Sequence, residues 1–257
     1  MVYLATVLLS QTKMHTVCKM TDFSELPTLG ILGGMGPGAA VDFQQRLRDA
    51  SPATKDQEHI PTIVWNHGGI PDRQLALKKR GESPLNTILH GLKILERSGV
   101  SKIAIPCNTA HFWHADLQQQ TALEILNMVE ITVQQILKSY KTGDKVGILA
   151  TKGALSTELY QRELSKYDIP FVINSDQEIE EEFMPAVYAV KRNEVEKAGV
   201  VFQDLSQRLI DQGANSIILA CTEIPLGLHA INSPILNVCF DTTQILADAC
   251  VAWYYQK

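Results

Sequence analysis

Ser101–Phe112 reads SKIAIPCNTAHF. Ile103-Ala104-Ile105 is a short apolar, β-leaning run, and Cys107-Asn108-Thr109 follows it directly. A buried strand that ends at a cysteine, with Asn or Thr set to cap the next helix, puts a thiol at a helix N-terminus. The unpaired amides there favour a thiolate. One such cysteine is a modest signal, because a cysteine in apolar surroundings is more often inert packing. A second stretch changes the weight: Leu209–Pro225, LIDQGANSIILACTEIP, aligns without a gap with Leu95–His111, LERSGVSKIAIPCNTAH. Gly213 meets Gly99, and Cys221 meets Cys107 at an offset of 114 residues. Upstream, Leu29-Gly30-Ile31-Leu32 is echoed by Val146-Gly147-Ile148-Leu149 at an offset of 117. The chain reads as a duplicated unit, each copy carrying a cysteine at the same strand end.

Around these strands the pattern alternates. Residues 29–32, 62–66, the run into Cys107, 146–150, 171–174, the run into Cys221 and 235–238 read as short apolar strands. Between them lie helical stretches: 39–50, with Val41, Phe43 and Leu47 on its apolar side, 83–98 ended by Gly99, 131–141, 153–167, 176–197, 198–212 ended by Gly213, and 242–253. Short strands alternating with helices predict an α/β protein of βαβ units, with parallel sheets flanked by helices. Ligands of open α/β sheets sit at the carboxyl ends of the strands, where both cysteines fall.

The chain has 257 residues, 45% hydrophobic, with a formal net charge of −5. That is long enough for a large core and gives no reason to expect nucleic acid or an acidic membrane as partner. Cys18, Cys107, Cys221, Cys239 and Cys250 are odd in number and widely spaced, without metal-ligand pairs. This argues against a disulfide framework and for a reducing compartment, the cytoplasm. Residues 3–10 are too short an apolar run to span a bilayer and lack the basic flank of a signal peptide. Met14 and Met20 are alternative starts.

Gly33-Gly34-Met35-Gly36-Pro37-Gly38 follows a strand, but its spacing, with Pro37 inside, is not that of a dinucleotide fingerprint. It is either a turn whose bare amides admit a small anion or a turn without a ligand. Arg73 lies in an irregular loop past a strand end, and its planar fork suits a carboxylate. Lys191 reads, on sequence alone, as a solvated face residue. His111, four residues after Cys107, either tunes the thiol or is a satisfied polar residue, and Glu223 is equally open. Cys18, Cys239 and Cys250 read as structural. Two thiols at equivalent strand ends of related halves can face each other across a cleft, one removing a proton from a carbon and the other delivering one from the opposite side. Each sulfur must then come within about 3–3.5 Å of that carbon, and an ordinary thiol, pKa about 8.5, needs its surroundings to adjust it. Two packing cysteines in a duplicated domain are the plainer alternative.

GILGGMGPGAA, IPDRQ, IPCNTAH, GILATKG and ACTEIP, in this order, resemble the aspartate/glutamate racemase family, in particular its cofactor-independent aspartate racemase branch, over residues 28–253. The resemblance implies two pseudo-symmetric α/β lobes with the active site in the cleft between them. Residues 1–27 would then be an N-terminal extension, 28–125 the first lobe, completed by 235–257, and 126–234 the second. It further implies Cys107 and Cys221 as acid and base, with neither pyridoxal phosphate nor metal. Arg73 and Lys191 would orient a small dicarboxylic amino acid, and groups around Met35, Asn108, Thr109, Thr151 and Thr222 would hold carboxylates. A homodimer is expected. Gln74, Lys152 and Ala154 depart from common family residues, Lys152 adding a charge near the expected pocket. Both cysteines are kept, unlike in single-cysteine decarboxylases of the same superfamily. The expected activity is interconversion of L- and D-aspartate or glutamate. The alternatives are a racemase or isomerase for another small acid, and a non-catalytic small-acid binding protein.

Overall fold

The computed structural model describes residues 26–255; the expected extension up to residue 25, with Met14, Cys18 and Met20, lies outside the described residues. The strands are β1 (Leu29–Gly33), β2 (Thr62–Asn66), β3 (Lys102–Ala104), β4 (Val146–Ala150), β5 (Phe171–Ile173), β6 (Ser216–Ala220) and β7 (Cys239–Asp241). They form two parallel sheets, ordered β2-β1-β3 and β5-β4-β6-β7. The echo of β1 in β4 and of Cys107 in Cys221 makes the first three strands of each sheet topological equivalents. The duplication is therefore visible in strand order as well as in sequence.

The helices are α1 (Pro37–Ala50), α2 (Arg73–Leu77), α3 (Leu85–Arg97), α4 (His114–Gln118), α5 (Met128–Leu137), α6 (Lys152–Ser156), α7 (Leu159–Ser165), α8 (Asp176–Glu178), α9 (Met184–Lys191), α10 (Val195–Asp211), α11 (Glu223–Ala230) and α12 (Thr242–Tyr255). A π-helical turn, Ile179–Phe183, joins α8 to α9. Strands β1 and β4 are buried along their whole length, as continuous apolar runs covered on both faces must be. One cluster, with Leu32, Ile88, Leu92, Leu95 and Ile103, covers one face of the first sheet. Leu29, Ile31, Phe43, Leu246 and Cys250 cover the other. A single larger cluster surrounds the second sheet.

Several expectations change. Val41 is exposed, and the buried face of α1 is Ala39, Ala40, Phe43 and Leu47. Residues 234–238 form a 3-10 turn, because Pro234 opens the segment without a backbone donor. The strand starts later, at Cys239, and pairs with β6, so 239–241 extends the second sheet rather than completing the first lobe. Only from Thr242 does the chain return, α12 packing on α1 and α5. Strand β3 stops at Ala104, since Pro106 cannot donate to a ladder; Cys107 lies in a loop three residues beyond it, whereas Cys221 follows β6 directly. Ile125 contributes one bridge to Ile103, and Asn127 caps α5 by accepting from the Val129 and Glu130 amides.

Two devices seat the cysteine-bearing segments. Gly199 of α10 lies against Gly227 of α11, where a Cβ would overlap the Gly227 carbonyl; this close crossing sets the position of α11 and of Cys221 just before it. His111 braces the other segment: its Nδ1 donates to the Cys107 carbonyl (2.9 Å), and its Nε2 accepts the Met128 amide (3.1 Å). Burial lowers its pKa from 6.5 to about 4, so the ring is neutral and is the satisfied polar residue of the two sequence readings.

Gly199→Ala should lower the urea unfolding midpoint by the equivalent of about 1–3 kcal/mol, as overpacking does; an unchanged midpoint would mean that the helices do not depend on this approach. His111 titrates at 6.5 when unfolded and near 4 when folded. Between those values the unfolded chain binds a proton that the fold refuses. Stability is therefore full above pH 6.5 and falls as the pH drops toward 4, by on the order of 3 kcal/mol. In His111→Gln the curve of stability against pH should be flatter between pH 6.5 and 5; an identical slope would contradict a buried neutral ring.

Candidate active site between the lobes

At the carboxyl ends of β1, β3, β4 and β6 a cavity of about 30 Å³ brings together Met35, Arg73, Cys107, Asn108, Thr109, Thr151, Lys191, Cys221 and Thr222. These are the nine positions singled out from the sequence. The cavity is also lined by Asp72, Gln74, Met184, Val187, Tyr188 and Glu223. Met184, Val187 and Tyr188 were missed, yet a signal existed: with Lys191 they fall at the i, i+3, i+4, i+7 spacing of one face of α9. Lys191 is thus not a free surface residue, since its Nζ lies 3.5 Å from Glu223 Oε1. Lys152 departs from its expected place: it pairs with Asp176 at 2.5 Å and does not line this cavity.

The two lobes meet around the thiols. Thr109 Oγ1 and Thr151 Oγ1 share a hydrogen bond of 3.0 Å, and Thr151 also caps α6 by accepting the Ala154 amide. Gln74, the departure after IPDR, is a contact across the cleft: its Oε1 accepts the Gly153 amide at 2.6 Å. Asn108 does not cap a helix. Its Oδ1 accepts the Tyr160 hydroxyl (2.5 Å) and its Nδ2 donates to Thr242 Oγ1 (3.0 Å), so a buried network spanning both lobes fixes its side chain. Arg46 of α1 pairs with Asp241 of β7 at 2.7 Å, a further tie between the sheets' surroundings.

Both thiols are buried, and burial outweighs the helix N-terminal effect expected from sequence. It pushes Cys107 up, opposed by the charge of Arg73 and by the Ala110 amide. Cys221 is pushed well above its ordinary value, by burial first and then by the charge of Glu223. The reason is geometric: Cys221 Sγ donates to Glu223 Oε2 at 3.1 Å, and the Thr222 hydroxyl donates to the same oxygen at 3.1 Å. Glu223, left open by the sequence, is therefore the acceptor that holds the Cys221 proton. Burial works against the charge of Lys191, but the neighbouring negative charge, Glu223 first, outweighs it and raises its pKa. Arg73 is nine-tenths buried, forms no ion pair among the described residues, and spends one nitrogen on the Ile70 and Pro71 carbonyls. Cys239 and Cys250, lifted by burial to about 12, stand away from this cavity. Among the described residues no group of His, Cys, Asp or Glu is placed to hold a metal ion, and no helix is long and apolar enough to cross a membrane.

Comparison with known proteins places the chain among relatives of stated activity. The sequence pattern described as Asp/Glu/Hydantoin racemase matches residues 32–250. The "Broad specificity amino-acid racemase RacX" of Bacillus subtilis (strain 168) is 30% identical over 234 residues, covering 88% of this chain and 97% of that protein. The structure of the Picrophilus torridus aspartate racemase superposes with a TM-score of 0.76 at 31% identity, covering 88% of this chain and 93% of that one. A glutamate racemase from Francisella tularensis shares the fold, with a TM-score of 0.64 at 17% identity over 91% of this chain and 82% of that one. The chain is thus an α/β racemase with two lobes, and it belongs to the Asp/Glu/hydantoin racemase family.

Proposed function

We propose that this racemase interconverts the L- and D-forms of aspartate or glutamate by proton transfer at Cα between Cys107 and Cys221, without a cofactor. The observation that carries the reading is the shared cavity: two thiols from equivalent strand ends, with Arg73 and Lys191 beside them. The names of the relatives, an aspartate racemase and a broad-specificity amino-acid racemase, support the substrate class. A cytoplasmic homodimer fits the cysteine usage and the family.

Arg73 and Lys191 hold the side-chain carboxylate. Thr109, Thr151, Thr222 and the main chain beside Met35 and Asn108 hold the α-carboxylate, where charge collects once Cα loses its hydrogen. Cys107 is the easier thiol to ionise, with Arg73 and Lys191 both favouring its anion. It acts as base on one enantiomer, taking the hydrogen from Cα as the C–H electron pair moves toward the α-carboxylate. Cys221, kept protonated by Glu223, delivers a hydrogen to the opposite face. The product state has the thiol on Cys107 and the thiolate on Cys221, poised for the reverse direction. The cavity of about 30 Å³ holds roughly two waters, so an amino acid enters only as the surrounding side chains or lobes part.

Cys107→Ala and Cys221→Ala should each abolish racemisation while aspartate still raises the melting temperature; near-wild-type turnover in either would remove the two-thiol mechanism. Arg73→Ala should cost acidic substrates far more than neutral ones, by about 2–3 kcal/mol in kcat/KM; equal losses would show that it does not read the side chain. The rate follows the product of ionised Cys107 and protonated Cys221. It should therefore rise with pH into and above the ordinary thiol range and fall only at more alkaline pH. A rising limb centred near 6.5 would point to a histidine instead.

A further inference from the structure

Beside the small cavity lies a second one of about 670 Å³. The two share Asp72, Arg73, Lys191 and Glu223, so these side chains form their common boundary. The outer cavity is walled mainly by backbone and small or apolar groups, among them Gly36, Pro37, Gly38, Gly68, Val190 and Leu226. Its volume lies within the range of small-ligand pockets, whereas the inner one has room for about two waters before the surrounding side chains part. On its other sides the inner cavity is closed by Cys107, Thr109, Thr151, Cys221 and Thr222, all buried. The larger open space next to the inner cavity lies past Arg73 and Lys191.

We propose that the outer cavity is the subsite for the side chains of acidic α-amino acids longer than aspartate. Glutamate, 2-aminoadipate and 2-aminopimelate would keep Cα between the thiols and place the distal carboxylate on the outer side of Arg73 and Lys191. This inference rests on the racemase reading given above. The same two cations border both cavities, so they pair with a carboxylate on either side. Lys191 is partly exposed on its flexible stem and can follow the longer chain outward. The acidic groups of the boundary are already engaged: Asp72 caps α2 through the Leu75 amide, and Glu223 takes Cys221, Thr222 and Lys191. The first turn of α1 adds donors, since Gly38 and Ala39 line the cavity and Gly36 at the N-cap supplies no side-chain acceptor.

Gly38 offers a direct test, because a Cβ there meets no atom within 4 Å. Gly38→Ala adds a Cβ at this wall of the outer cavity without meeting a neighbour, and Gly38→Leu extends the added side chain further. Purified wild type and both variants would be assayed for racemisation of L-aspartate, L-glutamate, L-2-aminoadipate and L-2-aminopimelate, with melting temperatures as a folding check. The expected result is wild-type turnover across the series, with Gly38→Leu losing at least about tenfold in kcat/KM on 2-aminoadipate and more on 2-aminopimelate. Aspartate would be unchanged, and Gly38→Ala would fall between. Turnover of aspartate alone by the wild type would overturn the inference. So would a parallel loss on all four substrates, which marks an entrance, or no change on any. Silence of the wild type on every acid would instead sink the racemase reading itself.

Discussion

Two lone thiols become a reaction centre only if two separate sheets keep them at one cavity, and that constraint falls on a few hydrogen bonds between the lobes. Thr109 to Thr151 and Gln74 to the Gly153 amide join the lobes at the cleft. Asn108, Tyr160 and Thr242 join them beneath it. Each bond involves a group that burial would otherwise leave unsatisfied, at a cost of roughly 1–3 kcal/mol. The lobes therefore meet in one register rather than sliding on an apolar face. Behind this seam, Gly199 against Gly227 and His111 against Met128 fix the segments that carry Cys221 and Cys107.

Once the thiols are buried, electrostatics separates them. Desolvation raises both, and Lys191 and Glu223 act on both, but Arg73 favours the Cys107 anion whereas Glu223 accepts the Cys221 proton directly. A duplicated scaffold thus yields an unequal pair. In the proposed mechanism the pair exchanges roles in each turnover, so the resting asymmetry sets which enantiomer meets a ready base first.

Much of this was legible in the residues. The parallel α/β architecture followed from apolar strands alternating with helices, and the duplication from the alignment of LERSGVSKIAIPCNTAH with LIDQGANSIILACTEIP. All nine nominated positions reached one cavity. What escaped was tertiary. Val41 looked apolar-facing but points to solvent, because Ala39, Ala40, Phe43 and Leu47 already fill the contact between α1 and its sheet. Pro234 and Pro106 shortened or moved strands that their apolar runs alone suggested. The thiols looked activated by helix termini, and only the three-dimensional structure reveals the burial that opposes it. Gln74 read only as a departure from the common family residue, and its contact with the Gly153 amide across the cleft is visible only in three dimensions.

The central claim is that hydrogen leaves one face of Cα and arrives at the other through different sulfurs. The most direct measurement is wild-type racemisation of L-aspartate in deuterated water, followed by NMR and chiral separation at low conversion. The account predicts D-aspartate carrying deuterium at Cα from its first appearance, while the remaining L-aspartate keeps its protium. D-aspartate that retains the substrate's own hydrogen would show one group serving both faces, and would contradict the two-thiol account.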